Sequence, residues 1–183
     1  MESYDIIAQG ISIVAMVLNI LSYQSKTQRG ILTMQLMGAV LFSVHFLMLG
    51  VVVGGILNII AVARAIVFSN REKFRADSII WTALFCLGFC AAYVLNFTLF
   101  GGEPLLKSFI IELLPVVGMV TATVGMFIGS AKSTRFSFLV CSPCWLVYNC
   151  FAFSIGGIIC EAVSLCSIII GIYRYDIKKR KSE

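Results

Sequence analysis

Charged side chains make up only 13% of the 183 residues, histidine occurs once, and proline occurs three times. So few polar groups cannot cover a soluble domain. With 60% hydrophobic residues and a mean hydropathy of +0.98, the chain reads as an integral membrane protein whose first partner is the lipid bilayer. The lone histidine, His45, and the absence of any Gly-x-Ser-x-Gly or His-Glu-x-x-His pattern remove the usual nucleophile and metalloprotease arrangements, so no enzyme and no catalytic residue is expected. All seven cysteines lie within apolar stretches and read as small packing residues. Cys141 and Cys144 have the spacing of a redox or metal pair but no second pair joins them, and no metal or cofactor is expected. The net charge of +5 is distributed between and after apolar segments as topology determinants are, without a basic patch interleaved with aromatics, so no nucleic-acid partner is expected.

What is present is length. Residues 30–68 and 136–173 are two nearly unbroken apolar runs, each carrying a Gly-Gly near its middle (Gly54-Gly55 and Gly156-Gly157) and each preceded by a short basic linker. As one helix, such a run of roughly 38 residues would be about 57 Å long, nearly twice the hydrocarbon thickness, so each is expected to fold back at its Gly-Gly as a hairpin. Seven segments, 5–23, 30–49, 51–68, 78–96, 107–129, 136–153 and 155–173, are each long enough to cross. The first follows an acidic amino terminus with no small-residue cleavage pattern, and is expected to be a retained helix.

Seven crossings put Lys26, Arg29, Arg71, Lys73, Arg75, Lys132, Arg135 and Lys178 to Lys181 on one side and only Lys107 on the other. The positive-inside bias then places the amino terminus outside and the carboxyl terminus in the cytoplasm. Ser25-Lys26-Thr27-Gln28-Arg29 matches Ala131-Lys132-Ser133-Thr134-Arg135, so the first three segments read as repeated in the last three. The expected fold is all-α: two parallel three-helix repeats, 1–68 and 107–183, joined by a linker helix within 69–106, an odd helix that lets both repeats insert in the same orientation.

That three-plus-one-plus-three arrangement resembles the SWEET, PQ-loop and MtN3 superfamily. Trp145-Leu146-Val147-Tyr148 before the Gly-Gly hairpin is similar to the aromatic stretch of the second helix in those repeats. More closely, the chain resembles the bacterial inner-membrane family called YgjV. It does so through Ala8-Gln9-Gly10, the run from His45 to Gly50, the run from Glu112 to Gly118, the run from Cys144 to Asn149, and Ser154-Ile155-Gly156-Gly157. The family resemblance implies a multi-pass protein of the bacterial inner membrane. The wider one implies transport, with paired asparagines at a solute site. This chain departs from it in lacking a Pro-Gln motif and in carrying prolines only in the second repeat, at Pro115 and Pro143, where the first has Gln9 and approximately Gly38.

Polar groups at membrane depth are costly and mark function or internal pairing. Asn58, Glu161, His45, Asn149 and Glu112 each fall roughly 6 to 10 Å below the outer boundary. One layer of five polar side chains points to the floor of an outward-facing pocket, with Trp145 able to stack on a ring. Local pairing to carbonyls, or anchoring near the interface, is the competing explanation for each. Asn58 and Glu161 stand at approximately equivalent places in the two repeats, and a carboxyl group there can accept from hydroxyl or ammonium groups or carry a proton. Glu112, three residues before Pro115, could shape a gate, and Arg64 is expected to snorkel to the headgroups. The expected function is a small-solute carrier (sugar, nucleoside or amine), the alternative a non-transporting scaffold or sensor. Close glycine spacing serves packing within the chain, and nothing in the sequence sets an oligomeric state.

Overall fold

The computed structural model describes residues 3–102 and 105–178, with side chains from residue 7 onward. Lys179, Arg180 and Lys181 of the expected basic tail lie outside the described residues. The described chain is all-helical: α1 (Ser3–Ser22), α2 (Gln28–Met48), α3 (Val52–Ser69), the short α4 (Arg71–Phe74), α5 (Ile79–Thr98), α6 (Leu106–Phe127), α7 (Ala131–Phe151) and α8 (Ile155–Gly171), which continues as a wider turn to Ile177. Five of these, α2, α3, α5, α6 and α8 with its extension, are long and apolar enough to cross a membrane. The apolar part of α1, Ile7–Ser22, is shorter. Lys132, Arg135 and several hydroxyl residues dilute α7, whose inward face is polar.

Local chemistry sets the boundaries. Thr27, Ser78, Ser130 and Ser154 each cap a helix by accepting from a backbone N–H of its first turn. The chain reverses at Leu49 to Val51 and again at Ala152 to Ser154, with Gly50 (φ 71°) and Phe153 (φ 50°) in the left-handed region. The Gly-Gly pairs are therefore not the bends. They occupy the first turn of α3 and of α8, where they admit close neighbours: a Cβ at Gly54 would stand 3.0 Å from the Phe46 ring, and one at Gly157 2.5 Å from the Asn149 amide oxygen.

A single offset, the one that carries Thr27 onto Ser130, superposes these features. It maps α2 onto α7 end to end, Gly50 onto Phe153, and the bond from Val51 N–H to Phe46 C=O (2.8 Å) onto that from Ser154 N–H to Asn149 C=O (3.1 Å). It also brings the starts of α1 and α3 onto those of α6 and α8. The equivalence is three residues out of step with the one read from the linkers: Arg29 corresponds to Lys132, not Arg135, and Gln9 to Glu112, not Pro115. The linker motif misleads because its basic residues repeat at that wrong spacing, whereas helix starts are fixed by the capping hydroxyls.

The helices pack as a closed ring in the order α1, α2, α3, α6, α7, α8 and back to α1, with α5 outside against α3 and α6. Ile80 and Leu87 of α5 are 72% and 68% exposed, an apolar outer face for lipid. Small residues allow the ring to close. A Cβ at Gly125 in α6 would run into the Ser137 side chain of α7 and stand 2.9 Å from the Ser133 carbonyl, whereas one at Gly10 meets nothing within 4 Å. Gly125→Val is therefore expected to destabilise by about 1–3 kcal/mol through overpacking, and Gly10→Val by far less. Thermal melts of the two detergent-solubilised variants check this, and equal losses would refute the close α6/α7 approach.

Candidate functional site

The interior of the ring is not filled. A cavity of about 70 Å³ is lined from all six ring helices and by nothing from α5. Four of the six sequence-predicted site residues line it: Asn58 from α3, Trp145 and Asn149 from α7, and Glu161 from α8. Asn58 and Glu161 are related by the offset that matches the two hairpins, and each lies one helical turn beyond the matched glycines Gly54 and Gly157. The same offset pairs further lining residues: Ala39 with Ser142, Phe42 with Trp145, and Phe46 with Asn149. The cavity thus sits where the two halves face each other.

The other two predicted residues go elsewhere. Glu112 lines a second cavity of about 290 Å³ at the hairpin end, walled by the α2/α3 turn, Asn96, Gly101, Gly102, Tyr148 and Phe151. His45 lines neither cavity. Its ring is fully buried and joins three elements, Nδ1 lying 2.9 Å from the Ala8 carbonyl and Nε2 2.8 Å from the Ser154 hydroxyl. The five polar residues expected in one layer are therefore divided among a central cavity, an outer cavity and a structural joint. Between the cavities stand Phe46, Trp145 and Tyr148, with ring centroids 5.5 to 6.4 Å apart.

Arg64 departs most from expectation. It does not snorkel: 3% exposed, it turns inward from α3 to line the central cavity. Its Nη1 donates to the Met119 carbonyl and the Thr123 hydroxyl of α6, both at 2.9 Å, and its guanidinium lies 5.3 Å from the Phe89 ring centroid of α5. Its counterpart by the offset, Ser167, ties α8 to α1 in the same way, donating to the Ile20 carbonyl at 2.9 Å. Asn19, Gln35 and Ser142 also line the cavity without having been picked from sequence. A signal existed: Gln35 falls within the buried stripe Ile31, Leu32, Gln35, Gly38, Ala39, Phe42 of α2, and Arg64 within Leu57, Asn58, Ala61, Arg64, Ala65, Phe68 of α3.

The electrostatic state of this interior is unusual. Among the described residues, eight buried side-chain polar atoms have no hydrogen-bond partner. Five of them, on Asn19, Gln35, Arg64, Ser142 and Asn149, belong to residues lining the central cavity, and two, on Glu112 and Tyr148, to residues lining the outer one. Only Thr82 lies apart. Buried polar groups are nearly always satisfied, so the concentration of unpartnered ones in residues around the two cavities sets these walls apart from the rest of the interior.

The family model for bacterial inner membrane proteins of the type Imp-YgjV matches residues 6–179. The chain belongs to the Imp-YgjV family. It is similar to the Inner membrane protein YgjV of Escherichia coli (strain K12), with 26% identity over 170 residues that cover 92% of this chain and 84% of that one. No solved structure matches it. As an Imp-YgjV protein with several apolar helices, it is a multi-pass protein of the inner membrane, in contact with lipid along the outer faces of its helices.

Proposed function

We propose that the protein is a small-solute carrier, crossing the inner membrane seven times as two parallel three-helix units, α1 to α3 and α6 to α8, with α5 as the linker helix. The amino terminus lies outside and the basic end in the cytoplasm, following the bias of Lys26, Arg29, Arg75 and Lys132 toward one end of the bundle. The observation that carries this reading is a cavity between the two units that is lined by Arg64, Glu161, Asn58 and other polar residues, several of which hold buried, unpartnered polar atoms. Parallel repeats around a midplane site are the architecture in which rocking of one unit against the other exposes a solute to alternate sides. A scaffold or sensor using the same fold has no need of unmatched polar groups around Glu161, and a dry interior would serve it better.

Central residues divide the work by chemistry. Asn58 donates its amide to the Gly54 carbonyl at 2.9 Å, which fixes its orientation, while Glu161 and Arg64 bring opposite charges to one chamber. Purified protein in liposomes, tested by counterflow against a panel of sugars, polyols, nucleosides, amines, organic acids and amino acids, is expected to accelerate exchange of at least one class over protein-free vesicles. Exchange of none of them would overturn the carrier reading.

A further inference from the structure

We infer that the central cavity takes a small zwitterion, a compact solute bearing one carboxylate and one ammonium group, with the carboxylate on the Nε edge of Arg64 and the ammonium toward Glu161. The inference rests on the carrier reading and names its solute. Arg64 and Glu161 line the same chamber, yet the only ion pair among the described residues joins Arg135 and Asp176 at the basic end of the bundle. Opposite charges held apart in a low-dielectric interior are each matched by a solute carrying both complements. A solute with one charge, or none, leaves at least one of them unmet.

The guanidinium is prepared for a carboxylate on one side. Nη1 is fully used by Met119 and Thr123. Nη2 reaches only the Met119 thioether, at 3.5 Å, and Nε has no partner. A thioether is a weak acceptor, so the Nε and Nη2 donors remain as a parallel pair for a carboxylate side-on, reached when the Met119 side chain gives way, since Nε itself is buried. Elsewhere the acceptor that the chamber offers is the Glu161 carboxylate, while the amide oxygens of Asn19 and Asn149 turn toward Gly38 and Gly157. An ammonium group, with three donors and no acceptor, fits that carboxylate.

Size narrows the class further. At about 30 Å³ for a water's share of liquid volume, 70 Å³ is the room of two to three waters, which restricts the solute to the smallest members of the class, glycine or alanine. A hexose or nucleoside has at least twice as many heavy atoms. The remaining wall, Phe42, Phe46, Met119 and Trp145, is apolar and suits a small alkyl substituent.

The test is counterflow in proteoliposomes with six probes: glycine and alanine, the singly charged ethylamine and propionate, and the neutral glycerol and glucose. Alanine and glycine are expected to exchange, and the other four to lag them. In Glu161→Gln, alanine affinity is expected to fall by about tenfold to a hundredfold, and selectivity to turn toward propionate, because Arg64 is then the sole charge in the chamber. Arg64→Gln should turn it toward ethylamine. Should that variant fail to fold, Glu161→Gln decides alone, since a merely structural carboxylate would lower all six probes together. Exchange of glucose, glycerol or a singly charged probe in preference to alanine overturns the zwitterion and leaves the carrier standing. Unaltered selectivity in Glu161→Gln overturns the assignment of the ammonium site. If neither these probes nor the wider panel exchange, both readings fall.

Discussion

Asp176→Asn is expected to open the basic end of the bundle and to expose Cys141 to water-soluble thiol reagents from that side. Arg135 is 1% exposed and gathers four groups at the basic end of the bundle, beyond the Tyr23 and Phe138 wall of the central cavity. Its Nε donates to the Tyr23 carbonyl at 3.2 Å, Nη2 to the Ser25 carbonyl at 2.6 Å, and Nη1 to both Asp176 oxygens at 2.9 Å, while the Tyr175 ring centroid lies 5.1 Å away. One side chain of α7 thus ties the α1/α2 loop to the chain beyond α8. Beneath it, Tyr23 and Phe138, ring centroids 5.7 Å apart, form the cavity's lower wall.

Removing one member of a buried ion pair leaves the other charge uncompensated, at a cost of about 3–5 kcal/mol, whereas removing both costs less. The closed end should therefore be lost in Asp176→Asn and largely recovered in Arg135→Met combined with Asp176→Leu. Site-resolved mass spectrometry of Cys141 after labelling inverted vesicles with a membrane-impermeant reagent reads this directly. Cys141 is 2% exposed in the intact protein and lines the cavity, so its modification rate is the measure. The single variant should raise it by about tenfold or more, as expected from losing the equivalent of 1.4 kcal/mol or more of closure. Equal rates in the single and double variants would show that the pair does not hold the end shut.

The seven long helices were legible in the sequence because hydrophobic length is a local signal, and both hairpin turns fall where the span lengths required them, whereas the short α4 carried no such signal. The Gly-Gly pairs were misread as bends because glycine serves two purposes, left-handed backbone and close approach, and only packing tells them apart. Phe153, a non-glycine in the left-handed region, gave no sign of a turn at all. Asn58, Glu161 and Asn149 could be placed near one another by depth, the first two also by repeat, and Trp145 was added for its ring. Depth alone, however, cannot say which way a side chain points around its helix. That is why His45 and Glu112 were grouped with them, and why Arg64, near a helix end, was assigned to the headgroups. Both errors concern rotation about a helix axis, and the buried stripe of α3 would have corrected the second.

Trp145→Ala is expected to join the central cavity to the outer one and to expose Cys141 from the opposite side. Phe46, Trp145 and Tyr148 are all nearly buried, and the Trp145 and Tyr148 rings meet edge to face at 90°. Deleting the largest of the three removes the wall between chambers of about 70 and 290 Å³, at a cost of about 3–5 kcal/mol for a buried aromatic. The outer chamber already carries the unpartnered Glu112 and Tyr148 oxygens, so the merged space is polar enough to admit water. Labelling of Cys141 in right-side-out vesicles should then rise while labelling in inverted vesicles stays low, the reverse of Asp176→Asn. A carrier with two barriers makes a third demand: Trp145→Ala combined with Asp176→Asn removes both, and liposomes holding that variant should leak small solutes down their gradients without counterflow. If Trp145→Ala leaves Cys141 protected from both sides, the aromatic trio is packing rather than a barrier. If the combined variant remains tight, the two cavities do not lie on one path.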